Sequence, residues 1–504
     1  MPVPCHSKAR VSWPTARTQG RSGISPTGDP RAAASVAVWL KPDLPVPRRI
    51  SQSKDQVSNK LSHKRKPLPT ELVEAEIESL THEGRGLTHF DGKAVFVDGA
   101  LSGERVRFRY TRLQRRYDEG TVVEVLRASP DRVEPRCPHF GLCGGCSLQH
   151  MEPGAQIRMK QATLADVFTR IGKVAPESWL PPLVANHWGY RRKARLGVRH
   201  VVKKGRTLVG FRERGTPFLA DLSRCEVLYP AVGERLPVLA AAVDALSIRD
   251  QVPQIEVAVG EGPCVLVFRV MAPLSAADLG VLQGLAEGHG FHVYLQEGGA
   301  ETIRPLPGQG IDLHYDLPRH QVRIGFEPAD FTQVNLELNR LMVDQALGLL
   351  DPQPDERVLD LFCGLGNFSL PLARRAREVV GVESDPGLVA RAAANARANG
   401  IANARFESAD LYGDLEGQPW LKERYSKVLL DPPRSGALQM LDLLPGLGAE
   451  RIVYCSCYPT TLARDADRLV NGLGYRLSAA GVMDMFPHTA HVESMAVFDR
   501  AGKG

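Results

Sequence analysis

No apolar run in the 504-residue chain approaches the roughly 20 residues that a membrane-spanning helix requires; the longest candidate, residues 32–40, lies in a polar, proline-rich context. A helical membrane protein is excluded, and a soluble, cytoplasmic chain with no membrane partner is expected. Cysteine is scarce and unevenly used, nine residues in all. With no secretory signal expected ahead of them, a disulfide framework is excluded in a chain of this size. Acidic residues are nearly missing from residues 1–66, where three Asp and no Glu face 13 Lys+Arg, a local charge of +10. The whole chain carries only +6, so residues 67–504 are net −4. The isoelectric point therefore gives no argument for a nucleic-acid partner, and local patches must carry it. The first 66 residues, with eight Pro, nine Ser and no apolar periodicity, read as a disordered basic tail. Their Arg- and Ser-rich, acid-poor makeup resembles a transit peptide. Plain disorder, or a natural start further on near Val57, accounts for them better; no Met lies between Met1 and Met151.

What is present supports three further segments. The 43% apolar content supplies cores for about three domains. Residues 67–130 alternate apolar and polar positions between glycine turns, the pattern of a small antiparallel, OB-like β-barrel. In it Arg105, Arg107, Phe108, Arg109, Tyr110, Arg112, Arg115, Arg116 and Tyr117 interleave cations with aromatics. That mixture suits phosphate contact with base stacking, and equally a solvated edge strand with charged gatekeepers. Residues 131–345 mix helical and strand-like runs and read as an α/β central domain. From Pro352 a strand–helix rhythm sets in, and residues 346–504 are expected to form a doubly wound, mostly parallel, Rossmann-like sheet.

Ligands of open α/β sheets bind at the carboxyl ends of the strands. Those ends read Asp360-Leu-Phe362-Cys-Gly364-Leu-Gly366-Asn367, then Glu383, Asp410 and Asp431-Pro-Pro-Arg434. The glycines let the backbone approach a ligand closely, and a carboxylate after the second strand can take two ribose hydroxyls. The ordered set resembles the class I S-adenosylmethionine-dependent methyltransferases. A dinucleotide fold would want a third glycine where Ser369 stands, and a phosphate loop would want Lys-Ser/Thr.

Downstream lie Tyr454-Cys-Ser-Cys457-Tyr458-Pro459 and, 36 residues after Cys457, Glu493. A thiol beside a methyl donor suggests covalent activation of a weak carbon nucleophile. C5 of a pyrimidine is such a carbon. A thiolate adding at C6 makes C5 enolate-like, methyl transfer follows, and a base removes the C5 proton so that the thiol can leave. Cys457, Glu493 and an amide such as Gln333, polarising the uracil carbonyl, fit that chemistry. Cys455, on the strand before, reads as a small buried residue.

Ser456-Cys457-Tyr458-Pro459, Leu430-Asp431-Pro-Pro-Arg434 and Phe331-Thr-Gln333-Val-Asn335 resemble the RNA uracil-C5 methyltransferases, and the likeness runs from about residue 66 to 500. The resemblance implies Cys457 as nucleophile and Glu493 as base. It also implies Gln333, Phe362, Asn367, Glu383, Asp410 and Asp431 around S-adenosylmethionine and an extruded uracil. Tyr458 departs from the Asn usual in the family.

Cys137-Pro-His-Phe-Gly-Leu-Cys143-Gly-Gly-Cys146 with the distant Cys225 can hold zinc or a cluster on chemistry alone. By likeness to the ribosomal-RNA members it implies a [4Fe–4S] cluster. Residues 67–130 match a TRAM domain in position and pattern, and 190–195 add a basic patch. Barrel plus cluster plus catalytic domain implies a monomeric enzyme acting on a uridine of 23S rRNA. Another 23S uridine or tRNA is the alternative substrate, and a non-catalytic RNA-binding iron–sulfur protein the alternative of another class.

Overall fold

The computed structural model describes residues 67–502; the expected tail, 1–66, lies outside the described residues. Strands β1 (Val73–Glu76), β2 (Ser79–Leu80), β3 (Gly86–Phe90), β4 (Lys93–Asp98), β5 (Arg105–Leu113) and β6 (Tyr117–Arg127) form one sheet in the order β1-β5-β6-β4-β3-β2. The chain bends at Ile77–Glu78, where Ile77 N–H donates to Glu104 C=O and Glu78 N–H to Leu87 C=O, each at 2.8 Å. That bend joins the two sheet edges and makes the barrel. All pairings are antiparallel except β4–β6, because β6 returns along β4 instead of β5 lying beside it. Alternation along β5 turns Val106 and Phe108 into the core with Ile77, Val95 and Val97.

The central segment supplies β7 (Ser178–Trp179), β8 (Lys193–Val201), β9 (Arg206–Gly210), β10 (Gln254–Val259), β11 (Cys264–Arg269), β12 (His292–Gln296) and β13 (Arg304–Pro305). All but β7 form a sheet in the order β13-β12-β11-β10-β8-β9. Helices Leu236–Asp244 and Ala276–His289 cover it through Leu239, Val243, Leu282 and Leu285. The second helix starts on a capping box between Ser275 and Asp278. A hairpin of β14 (Leu313–Leu317) and β15 (Val322–Phe326) follows.

The last sheet contains β16 (Arg357–Leu361), β17 (Glu378–Glu383), β18 (Ala404–Ser408), β19 (Lys427–Leu430), β20 (Arg451–Ser456), β21 (Tyr475–Met483) and β22 (Glu493–Arg500). Its order is β18-β17-β16-β19-β20-β22-β21-β7. β16 to β20 run parallel, and β22 is antiparallel to both β20 and β21. The order reverses between β16 and β19, which places the ligand crevice over their carboxyl ends. The expected boundary at residue 346 falls inside helix Leu336–Leu350, whose Met342, Val343, Ala346, Leu347 and Leu350 are buried in the core shared with Val453 and Val497. No helix among the described residues is long and apolar enough to cross a membrane.

Candidate active site

At the end of β16 the chain turns sharply through Phe362 (φ 65°), Gly364 (φ 53°) and Gly366 (φ 88°). Phe362 holds a left-handed conformation without being glycine, a strain found mainly where a site requires it. The turn is pinned to the next strand: Gly364 N–H donates to Glu383 Oε2 at 3.2 Å, while Glu383 Oε1 accepts from Ser384 N–H at 2.7 Å. Asp385 then caps helix Pro386–Ala398, accepting from Gly387 and Leu388. The Phe362 ring lies 5.7 Å from Tyr412, two residues beyond the exposed Asp410. Asn367 is placed differently from a free ligand contact. Its amide exchanges two hydrogen bonds with Asn339, 2.9 and 3.0 Å, and accepts a third from Tyr315 at 2.9 Å. Asn339 and Tyr315 thus hold the glycine turn, a function no spacing in the sequence announces.

β20 and β22 bring Cys457 and Glu493 together. The last pair of their antiparallel ladder is Ser456–Ser494, so Cys457 and Glu493 leave it side by side. Ser456 Oγ accepts from Tyr458 N–H at 3.2 Å, and Pro459 opens helix Pro459–Asp467 just beyond the thiol. Tyr458 sits at the cap position without a capping side-chain bond, its ring 44% exposed. Cys455 is buried in the core, as a strand residue one step back must be.

The acids crowd one another. Burial, then Asp431, pushes the Glu493 carboxyl up to about 8. Burial alone lifts Asp431 to about 7. Burial, then the charges of Glu493 and Asp431, pushes the Cys457 thiol up to about 12, with Arg434 acting in the opposite sense. Neither Asp431 nor Glu493 has a side-chain hydrogen-bond partner among the described residues, and the same holds for the half-buried Gln333 amide. Their hydrogen-bonding capacity is open to a ligand. Gln333 reaches the site on the segment before Asn335, which caps helix Leu336–Leu350 by accepting from Leu338 at 3.2 Å.

The irregular segment from Asp484 to Val492 connects β21 to Glu493, the first residue of β22, which pairs with Met483. Lys160, fully buried on helix Pro153–Val167, donates to Asp484 Oδ1 at 2.6 Å. Sequence reasoning missed this pair. A lone Asp inside Val482-Met-Asp484-Met-Phe486 was the available signal, since a carboxylate in an apolar run calls for a buried partner.

Cys137, Cys143, Cys146 and Cys225 line one cavity of about 320 Å³, together with Arg191, Arg434, Phe486 and His491. Burial raises Cys146 to about 12 and Cys225 to about 11; Cys225, Cys143 and Cys137 add to the first rise, and Cys143 and Cys137 to the second. Gly145 N–H donates to Cys143 Sγ at 3.4 Å. Cys143, Cys146 and Cys225 are each raised by burial and by neighbouring thiolates, and with Cys137 beside them and an N–H donor on Cys143 the set fits a multiply charged cationic core. Among the described residues no three His, Cys, Asp or Glu side chains converge as a single metal ion requires. A cubane differs in taking one thiolate at each of four separate irons.

Two basic patches differ from expectation. Phe108 is fully buried and stacks edge-on with Tyr110 at 5.1 Å, because the period of β5 points it inward; it offers no base a platform. Arg107 is engaged by Glu124 at 3.0 Å and Arg105 by Glu74. Arg109, Arg112, Arg115 and Arg116 are exposed and have no acidic partner among the described residues. In the patch at 190–195, Tyr190 is buried, Lys193 donates to Pro328 C=O, and Arg195 pairs with Glu256 at 2.9 Å. Tyr190 is thus committed to the core and Lys193 to a backbone carbonyl, while the Arg195 side chain stays at the surface.

Residues 314–501 match the family described as tRNA (Uracil-5-)-methyltransferase, and residues 70–123 match the TRAM domain. The chain is 57% identical over 441 residues to the 23S rRNA (uracil(1939)-C(5))-methyltransferase RlmD of Alkalilimnicola ehrlichii, covering 87% of this chain and 99% of that protein. It is 56% identical over 438 residues, with the same coverage, to the enzyme of that name in Methylococcus capsulatus. Among solved structures, the Pyrococcus abyssi tRNA (uracil-54, C5)-methyltransferase in complex with S-adenosyl-L-homocysteine shares the fold. Its TM-score is 0.65 at 23% identity, covering 84% of this chain and 99% of that one. With a methyltransferase sheet, a thiol and a carboxyl paired where β20 ends and β22 begins, and near full-length relatives of this kind, the chain belongs to the RNA uracil-C5 methyltransferase family.

Proposed function

We propose that the protein transfers a methyl group from S-adenosyl-L-methionine to C5 of a uridine in 23S rRNA, at the site named for its relatives, uracil 1939. The observation that carries the chemistry is the exit of Cys457 and Glu493, side by side, from the β20–β22 ladder. Bound over β16, β17 and β19, the donor supplies an electrophilic methyl on a sulfonium. Glu383 takes the ribose, and Phe362 and Asp410 take the adenosine end. Gln333 and Asp431 orient the uracil by its polar edge. Cys457, its thiol proton lost to solvent, would add as thiolate to C6, and the electron pair of the broken C5–C6 double bond would take the methyl group from the donor, whose sulfur–methyl bond breaks to leave S-adenosyl-L-homocysteine. Arg434 is the chain's own cation favouring that thiolate. Glu493 then accepts the C5 proton, the double bond re-forms, and the sulfur–C6 bond breaks to free Cys457. A base inside folded RNA is out of reach, so the uridine must first be extruded.

Cys137, Cys143, Cys146 and Cys225 hold a [4Fe–4S] cluster on this reading, supported by their shared cavity and N–H···S contact. Arg109, Arg112, Arg115 and Arg116 contact RNA phosphates. One chain carries the whole site, so the enzyme works as a monomer, in the cytoplasm with its substrate. Methyl incorporation from labelled donor into unmodified 23S rRNA and tRNA, mapped by nuclease digestion and mass spectrometry, tests the assignment. A single 5-methyluridine in 23S rRNA is expected; label confined to tRNA would overturn the substrate, and no label in either would overturn the activity. Visible absorbance with iron and sulfide analysis after anaerobic purification tests the cluster, with four irons expected.

A further inference from the structure

The nine residues from Asp484 to Val492 have no regular structure, yet most are buried. A buried irregular segment must find partners for its backbone polar groups outside any ladder. Here they come from far earlier in the chain. Phe486 C=O accepts from Lys160 Nζ at 3.1 Å, and Pro487 C=O from Tyr190 OH at 3.1 Å. His488 N–H donates to Gln156 Oε1 at 2.9 Å. His488 C=O accepts from Ser147 and Leu148 N–H, both at 2.9 Å. His488 holds a left-handed φ of 65° and stacks on Trp188 with centroids 3.9 Å apart. Gln156 and Lys160 are four residues apart on helix Pro153–Val167, hence on one face, and both are buried.

We propose that Gln156 and Lys160 are positioning residues for the methyl-transfer reaction: one helical face grips Asp484, Phe486 and His488, the first half of the connection that leads from Met483 to Glu493, and so fixes where Glu493 meets the C5 proton. The inference rests on the assignment of Glu493 as base. A buried Lys–Asp pair is a poor source of stability, because the desolvation of both charges offsets their attraction and an apolar pair does as well. What it supplies is direction. Lys160 satisfies the Asp484 carboxylate and the Phe486 carbonyl together, which an apolar pair cannot do. Gln156 in turn donates to Leu148 and Met151 C=O at 3.1 and 2.8 Å, locking its own amide before it receives His488.

The order of the chemistry provides a readout that stability alone does not move. Addition of Cys457 and methyl transfer precede the Glu493 step, so a displaced base lets the covalent protein–RNA adduct form and delays its release. The double variant Lys160→Met/Asp484→Leu replaces the ion pair by an apolar one, a change that is often neutral to stability; Gln156→Met is nearly isosteric. In both, kcat is expected to fall about 10- to 100-fold, the effect of an ångström-scale misplacement. KM for RNA should stay within about threefold, and the fraction of enzyme in denaturation-stable adduct should rise. Thermal unfolding identifies the folded variants, and Gln156→Met carries the comparison if the double variant does not fold. Folded variants with wild-type partitioning, or with turnover and adduct falling in parallel, would overturn the proposal. Glu493→Gln is the reference. If it builds no adduct, the base assignment fails and the inference with it; if it does while the other variants do not, the clamp alone is wrong.

Discussion

Binding of the methyl donor should expel about one proton. With Glu493 raised to about 8 and Asp431 to about 7, roughly three-quarters of the first and a quarter of the second are protonated at pH 7.5. A cation brought close to a carboxyl lowers its pKa by roughly 1–3 units. A shift of about two units by the sulfonium would leave both groups ionised, releasing on the order of one proton in total. Isothermal titration in buffers of different ionisation enthalpy counts that proton directly. S-adenosyl-L-homocysteine, with a neutral thioether, is the control and should release few. The release should vanish near pH 9.5, where both acids are already charged, and donor affinity should climb with pH up to about 8. Equal release by charged and neutral ligand, or none by either, would refute the idea that the acid cluster is tuned to receive a cation.

Glu493 binds its proton more tightly folded than unfolded, so its contribution to stability is present below about 4.5 and lost as pH rises through about 8. Glu493→Gln should therefore unfold like wild type near pH 5 and be more stable by about 4 kcal/mol at pH 8.5, by chemical denaturation. Replacing Arg109, Arg112, Arg115 and Arg116 with Ala should weaken RNA binding and reduce the slope of log affinity against log salt by about 3, measured by filter binding, since each lost phosphate contact removes about 0.7–0.9. Glu104 is fully buried and accepts from Leu101 N–H at 2.8 Å and Arg132 Nη2 at 2.7 Å. Arg132→Met should cost about 3–5 kcal/mol in denaturant titrations by stranding that charge, and Arg132→Met/Glu104→Leu should recover most of it.

Much of the fold was legible because its signals are local. Alternation marked the barrel strands, and apolar runs ending in Asp360, Glu383 and Asp431 marked parallel strands and their ligand ends. The thiol and carboxyl were legible as chemistry, though only the β20–β22 register explains why residues 36 apart become neighbours. The rest depended on long-range contacts. The charge run on β5 disclosed cations but not that Glu74 and Glu124 occupy two of them. Nothing in the composition of helix Pro153–Val167 says that Gln156 and Lys160 face inward, because their partners lie more than 320 residues away. Asn367 had the right position for a ligand contact, and its commitment to Asn339 and Tyr315 needed three dimensions.

The covalent adduct tests the central claim most directly. Glu493→Gln enzyme would be incubated with labelled donor and unmodified 23S rRNA, denatured, digested with nuclease and trypsin, and analysed by mass spectrometry. The account predicts a peptide bearing a 5-methyl-5,6-dihydrouridine on Cys457, absent from Cys457→Ala. A methylated RNA released without adduct, an adduct on another residue, or turnover by Cys457→Ala would contradict it.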